Sequence, residues 1–251
     1  MKRSKIAVLA VASVLTLGVA GNAMASFSYG DLMRFTYDSS TNTETGSDLG
    51  AVSSFLTPGA VTTTTSAIGS GYLSSGTANV SYLAYDSANQ TLYVAAQSGN
   101  DGNVPAKFSA SINTALTNMI GGYQTKAGTA SDATLTAINA PGSASYYRNM
   151  DKNGSAPGLF GVFVTDTSPA GETSLADLAD TGTLSLYKFN VSQTGVNLYG
   201  TEVATLTTNA DGTLTATSLV QGQVAATPIP AAFYLMGSGL MGLVGLRRKK
   251  A

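Results

Sequence analysis

The chain has no cysteine, no histidine and no tryptophan. Each absence closes a class of chemistry. Without cysteine there is no disulfide framework, so the fold must be held by its core, by ions or by association. Without cysteine and histidine, zinc, haem and iron–sulfur centres lose their usual ligands, and Ser-His and Cys-His catalytic pairs are excluded. Charge is also scarce, at 11% of residues. Seven of the thirteen cations stand at the two ends (Lys2, Arg3, Lys5 and Arg247 to Lys250), and all fourteen acids stand between them. The body from Ser26 to Thr227 therefore carries six cations against fourteen anions, a net of −8. Nucleic acid is not an expected partner, because phosphate binding needs a basic face.

The ends are distinct from the body. "MKRSKIAVLAVASVLTLGVAGNAMASF" opens with three cations, continues with an apolar stretch from Ile6 to about Ala20, and closes on Ala23-Met24-Ala25. Small residues at the first and third positions before a cut are what signal peptidase accommodates, so the sequence predicts a signal peptide over 1–25, a signal helix cleaved after Ala25, with Ser26 first in the mature chain. At the other end, Ala231 to Leu246 is an uncharged run followed by Arg247, Arg248, Lys249 and Lys250. Roughly 16 to 18 residues at ~1.5 Å each reach ~24 to 27 Å, a short membrane span. The four cations would stop transfer and hold the C-terminus in the cytoplasm, so the body faces outward. An ordinary membrane anchor would explain the span and the cations, but not the Pro228-Ile229-Pro230-Ala231 placed directly before them.

That order, Pro-x-Pro, a glycine-containing span and a terminal basic cluster, resembles a PEP-CTERM sorting signal. "PIPAAFYLMGSGLMGLVGLRRKK" is similar to the variant whose signature reads V-P-L-P-A. Ile229 stands where Pro-Glu-Pro has its glutamate, and Thr227 stands where the variant has valine. The resemblance covers only the last ~24 residues. It implies recognition by an exosortase of a Gram-negative bacterium, transient residence in the inner membrane, removal of the tail, and delivery of the body to the cell surface or extracellular matrix. Such bacteria commonly make exopolysaccharide. The implied organisation is 1–25 signal peptide, 26–226 extracellular domain, and 227–251 sorting signal, with motif 228–231, span 231–246 and basic tail 247–250.

Within the body, short alternating runs are broken by Asp, Asn, Ser and Gly. Val80 to Tyr85 and Thr91 to Ala96 flank Asp86-Ser87-Ala88-Asn89-Gln90, a turn whose side chains bond their own backbone. Asp211-Gly212 is the strongest tight-hairpin signal. "FTYDSSTNT" (35–43) and "LAYDSANQT" (83–91) echo each other at an offset of 48, which reads as two similar hairpins. "PGAVTTTTSAIGSG" and "QTKAGTASDATLTAINAPGSAS" read as loops or edge strands. Phe108, Ile112, Leu116, Met119 and Ile120 share one helical face, Pro105 suits a first turn and Gly121-Gly122 a stop, so one amphipathic helix is expected over about 105–121. The expected fold is mainly β: an antiparallel β-sandwich or jelly-roll-like domain with that helix packed on a sheet. A small β-propeller is the alternative, prompted by the spacing of the echo.

Catalytic signals are few. Asp166, Glu172, Asp177 and Asp180 cluster in one segment whose spacing reads as a solvated loop and a short helical turn. Ser185 and Lys188 form an S-x-x-K, but on an alternating strand they point to opposite faces. No catalytic residue is assigned and no cofactor is expected, except that calcium has candidate ligands in Asn100, Asp101, Asn103, Asp151 and Asn153. Tyr29, Tyr72, Tyr82, Tyr93, Tyr123, Tyr146, Tyr147, Tyr187 and Tyr199 read as strand and core residues, not as a sugar-stacking platform. Four consecutive threonines put only two on each side of a strand, which is no flat binding array. The sequence thus predicts a non-enzymatic surface or matrix protein with a structural or adhesive role, with signal peptidase, exosortase and exopolysaccharide as partners. The alternative is a secreted carbohydrate-active enzyme using paired carboxylates.

Overall fold

A computed structural model describes residues 27–97, 105–106, 108–150, 172–176, 178, 183–192 and 198–221. The cleavage site (Ala23, Ala25, Ser26), the sorting motif (Pro228, Ile229, Pro230, Ala231), the apolar span, the basic tail (Arg247, Arg248, Lys249, Lys250) and the calcium candidates lie outside the described residues.

The described chain is mainly β. In order it forms β1 (Asp31–Asp38), β2 (Thr43–Ala51), α1 (Val52–Phe55), β3 (Val61–Thr63), α2 (Ser70–Leu73), β4 (Asn79–Asp86), β5 (Thr91–Gln97), β6 (Pro105–Ala106), α3 (Ala110–Ala127), β7 (Asp132–Thr136), α4 (Tyr146–Asn149), β8 (Thr173–Ser174), β9 (Thr183–Asn190), β10 (Leu198–Tyr199), β11 (Thr201–Thr208) and β12 (Leu214–Ser218). Apart from the two-residue β6–β10 ribbon, these strands form one antiparallel sheet of order β3-β12-β11-β9-β5-β4-β1-β2-β7, with β8 beside β4. Its strands are joined in one hydrogen-bonded series, without the separate blades that a propeller requires.

The two echoing segments are the hairpins β1–β2 and β4–β5, which lie side by side through the β1–β4 pairing. Each turn ends on a left-handed residue, Asn42 (φ 56°) and Gln90 (φ 49°). Asp86 accepts bonds from the Asn89 backbone N–H and side-chain amide, so the turn chemistry read from the sequence is what folds it. Asp211-Gly212 forms the β11–β12 turn, with Gly212 at φ 81°. The two segments read as loops or edge strands supply β3 and β7, the two edges of the sheet.

Both faces of the sheet are buried. Met33, Phe35 and Tyr37 of β1 alternate with Leu32, Arg34 and Thr36, and all six are buried. On the first face, Leu83, Tyr85, Leu92, Val94, Tyr187 and Phe189 continue the surface on which α3 packs. On the second, Val80, Tyr82, Ala84, Ala95, Leu184, Leu186, Leu206, Leu214 and Ala216 form a separate core. This second face lies inside a half-barrel. Tyr82 of β4 bonds Thr208 of β11 at 3.2 Å although β5 and β9 stand between them. Neighbouring strands are ~4.8 Å apart, so in a flat sheet the two would be separated by more than a tyrosine spans.

The helix differs from expectation at both ends. It begins after Ser109, whose Oγ caps the Ile112 N–H at 3.3 Å, while Pro105 is in a strand. It runs through Gly121-Gly122 and stops at Gly128 (φ 61°). Gly122 faces Ala144, where a Cβ would collide with the Ala144 side chain, so the glycine allows the chain after β7 to pass close to the helix. Ile112, Ala115, Leu116, Met119, Ile120 and Tyr123 are buried. At roughly 1.5 to 3 kcal/mol for each large apolar side chain, docking outweighs the cost of about 1 kcal/mol per interior glycine.

Candidate functional site

Three polar clusters are built into this scaffold. The first is centred on Glu44 of β2, which is fully buried. Its carboxylate accepts the Tyr123 hydroxyl from α3, the Tyr146 N–H at 2.5 Å and the Tyr147 N–H at 2.8 Å. The last two are orphan donors of the first turn of α4, so Glu44 supplies a long-range cap while Ser145 caps locally through the Arg148 N–H. Tyr123 sits over Gly46, where any Cβ would meet its ring. From it an aromatic series runs across the face: Phe27–Tyr123 at 5.2 Å, Tyr123–Phe35 at 5.2 Å, Phe35–Tyr146 at 5.1 Å and Tyr37–Tyr147 at 5.3 Å. Burial first, then the Glu44 charge, pushes the Tyr123 phenol well above its ordinary value, so it remains a donor. Tyr37 gives its hydroxyl to Glu172 at 2.9 Å. Glu172 is buried, a correction to its reading as part of a solvated loop, because the chain at Thr173–Ser174 pairs with β4.

The second cluster is inside the half-barrel. Arg34 is 1% exposed, and its guanidinium reaches the Gly212 and Ser66 carbonyls at 3.0 and 3.3 Å and the Ser47 and Ser66 hydroxyls at 3.3 and 3.1 Å. Nε has no hydrogen-bond partner. Burial lowers its pKa, an effect opposed by Tyr82 and Asp132. The segment 64–69 spans the gap between the sheet's two margins. Thr64 and Ile68 bond Leu214 and Gly212 on one side, and Ser66 bonds Asp132 of β7 at 3.4 Å on the other.

The third lies where the described chain begins. Phe27 is fully buried at a positive φ of 35°. Its N–H bonds Asp48 Oδ2 at 2.8 Å and its carbonyl accepts from Gln124 at 2.8 Å. Asp48 also accepts the Gly50 N–H at 2.8 Å, and Asp31, whose charge acts on Asp48, accepts the Ser28 N–H at 3.0 Å. Burial above all, with the charge of Asp31 added, pushes the Asp48 carboxyl up to about 6 against the pull of the Gly50 and Phe27 N–H groups. Asp38 behaves oppositely. Burial would raise it, but bonds from the Ser40 hydroxyl and N–H and the Ser75 and Thr77 hydroxyls hold it at about 2.

Chemically, these groups are engaged with one another. Glu44 and Glu172 are closed off by tyrosines and backbone, and Asp31 and Asp48 accept the backbone N–H groups of Ser28, Phe27 and Gly50. Ser185 is buried and Lys188 exposed, on opposite faces of β9 as the alternation predicts. No group of three or more His, Cys, Asp or Glu positioned to hold a metal occurs among the described residues. No helix among them is long and apolar enough to cross a membrane. Of the nine tyrosines noted, Tyr82, Tyr93, Tyr123, Tyr146, Tyr147 and Tyr187 are core residues, whereas Tyr29 and Tyr199 are exposed.

One surface was not legible in a single strand. Opposite the half-barrel interior, Thr183, Thr207, Thr215 and Thr63 stand in register across β9, β11, β12 and β3, and Ser185, Thr205, Thr217 and Val61 form the adjacent row. Thr63 and Thr215 bond each other at 3.1 Å. Only Thr62 and Thr63 of the threonine run lie in β3, one on each side, but pairing multiplies the threonines across strands. The signal was there in the alternating threonines of "TEVATLTTNADGTLTATS", yet only strand register assembles them. Comparison of the chain with known protein families, with curated proteins and with solved structures finds no match to any of them.

Proposed function

We propose that this chain is an exported surface or matrix protein of a Gram-negative bacterium, with a non-catalytic, structural or adhesive ectodomain delivered by a PEP-CTERM-type tail. The observation that carries this reading is the ordered ending: Pro228-Ile229-Pro230-Ala231, an uncharged run to Leu246, then Arg247 to Lys250. Cleavage after Ala25 by signal peptidase places the body outside, and exosortase removes the tail. The ectodomain reading draws support from the inward use of Glu44, Glu172, Arg34 and Asp48, which leaves them anchoring the fold. The uncharged threonine rows are the kind of surface that suits a hydrated, hydroxyl-rich polymer such as exopolysaccharide. A sandwich-like or jelly-roll-like closure of the curled sheet belongs to the same reading.

Intact-mass measurement on surface and membrane fractions tests the address. Surface molecules are expected to begin at Ser26 and to lack Arg247 to Lys250. Surface molecules that retain those four residues would make the tail an ordinary anchor and overturn the sorting reading.

A further inference from the structure

Among the described residues the two most exposed aliphatic side chains, Val61 at 65% and Leu219 at 46%, stand at the margin of the sheet where β12 meets β3. Val61 is in register with Thr217, and the Leu219 N–H continues the ladder by bonding the Val203 carbonyl at 2.9 Å. The chain is held to the domain as far as Val220, which packs on the interior core, and the described residues end at Gln221. This margin also lacks charge. No charged residue occurs from Leu49 to Tyr85, which includes β3, or from Gly212 to Leu246, which includes β12. Going inward along the ladder, the first charges met are Glu202 of β11 and Lys188 of β9, one of each sign.

Reach ties this margin to the tail. From Gln221 to Pro228 there are seven Cα steps, which span about 25 Å at full extension. A domain of about 200 residues is roughly 40 Å across. A tail that enters a membrane just after Pro228 therefore keeps this margin, and not the far side of the domain, close to the bilayer.

Resting on the tail reading above, we propose that Val61 and Leu219 form a small apolar foot on which the ectodomain rests against the outer surface of the inner membrane while its tail is inserted. The contact sets the height and orientation at which Pro228 to Ala231 is presented for cutting. Beside the foot, the exposed Thr63 and Thr217 meet the lipid headgroups with hydroxyls and bring no charge to be desolvated. Two aliphatic side chains bind a bilayer weakly by themselves, because affinity scales with the apolar area buried. The short tether makes up the difference through effective concentration, so the contact ends when the tail is removed and the domain leaves the membrane.

The chain has no cysteine, so a single introduced one carries a nitroxide without background. The test uses Val61→Cys, Leu219→Cys and, as a reference, Ala210→Cys, since Ala210 is exposed in the turn at the other end of β12. Residues 26–251 of each variant are reconstituted into vesicles of phosphatidylethanolamine with a minority of phosphatidylglycerol. Collision of the label with oxygen, which concentrates in lipid, is compared with collision with a water-soluble nickel chelate. The oxygen-to-nickel ratio is expected to be at least about threefold higher at positions 61 and 219 than at 210, and to fall to the reference value in residues 26–227 mixed with the same vesicles. The same ratio at all three positions of the inserted chain overturns the proposal, and so does a ratio that stays raised without the tail. Spin–spin broadening at position 61 also overturns it, because a second copy would then cover the foot. Flotation separates the two ideas: a 26–251 chain that does not float with the vesicles refutes the span and the foot together, whereas one that floats with equal ratios refutes the foot alone.

Discussion

The two faces of the sheet bury polar groups by opposite means. On the helix side, anionic Glu44 is surrounded by donors and leaves none of its partners idle. Inside the half-barrel, cationic Arg34 spreads its donors over carbonyls and hydroxyls and keeps an unpartnered Nε. The difference matters because an orphaned donor costs more than a carbonyl with one lone pair to spare. Gly212 illustrates the second case, since its carbonyl also accepts the Ile68 N–H at 2.9 Å. The helix face should therefore be intolerant of losing its charge, and the interior comparatively forgiving.

The largest effect is expected for Glu44→Ala, which strands the Tyr123 hydroxyl and the Tyr146 and Tyr147 N–H groups. A loss of roughly 3 to 5 kcal/mol should appear in the urea midpoint. Arg34→Met keeps the stem's packing and removes only donors, so a loss of about 1 to 2 kcal/mol is expected by the same measurement. If Arg34→Met costs as much as Glu44→Ala, the contrast between the faces collapses.

The pH dependence sharpens the comparison at the carboxylates. Asp38, held at about 2, stabilises the fold fully above its ordinary value of 3.8, and this contribution disappears as pH falls from about 4 to 2. Asp48 has the opposite sign. Its raised pKa means that the folded state binds the proton more tightly, so stability rises as pH falls from about 6 toward 4. The protein should thus be most stable near pH 4 to 5, with Asp38→Asn removing the steep acid limb; a thermal-unfolding series over pH 2 to 8 checks both. The smallest effect belongs to the threonine rows, at their exposed member Thr217. Thr217→Val should shift stability by less than about 0.5 kcal/mol, and a larger loss in a denaturation curve would mean that the rows are structural.

Hairpins, edges and the apolar face of α3 were legible because they are local: Asp86 with Asn89, Asp211 with Gly212, and Ile112 with Leu116 and Met119 are set by spacing alone. The helix boundaries were not, because Gly121-Gly122 looks like a stop until Ala144 is seen against it. Glu172 was misread for the same reason, since its partner Tyr37 is distant in sequence. The curl of the sheet, the Glu44 cap and the Asp31–Asp48 corner all join residues whose neighbourhood in space has no counterpart in periodicity. The threonine rows show the limit most plainly, because register is a relation between strands and a single strand contains none of it.

The β5–β9 seam, described above only as one neighbour relation in the sheet, also governs timing. Thr91 pairs with Asn190 and Gln97 with Leu184, so β5 waits with an open edge until β9 has been delivered. Hairpins such as β1–β2 and β4–β5 close quickly, whereas a pairing across so much intervening chain is slow to find. For a chain synthesised from its N-terminus, the first half would stand as an unfinished sheet for the whole interval. The strand that ends this vulnerable period is β9, after which β11 and β12 extend the sheet to its β3 edge.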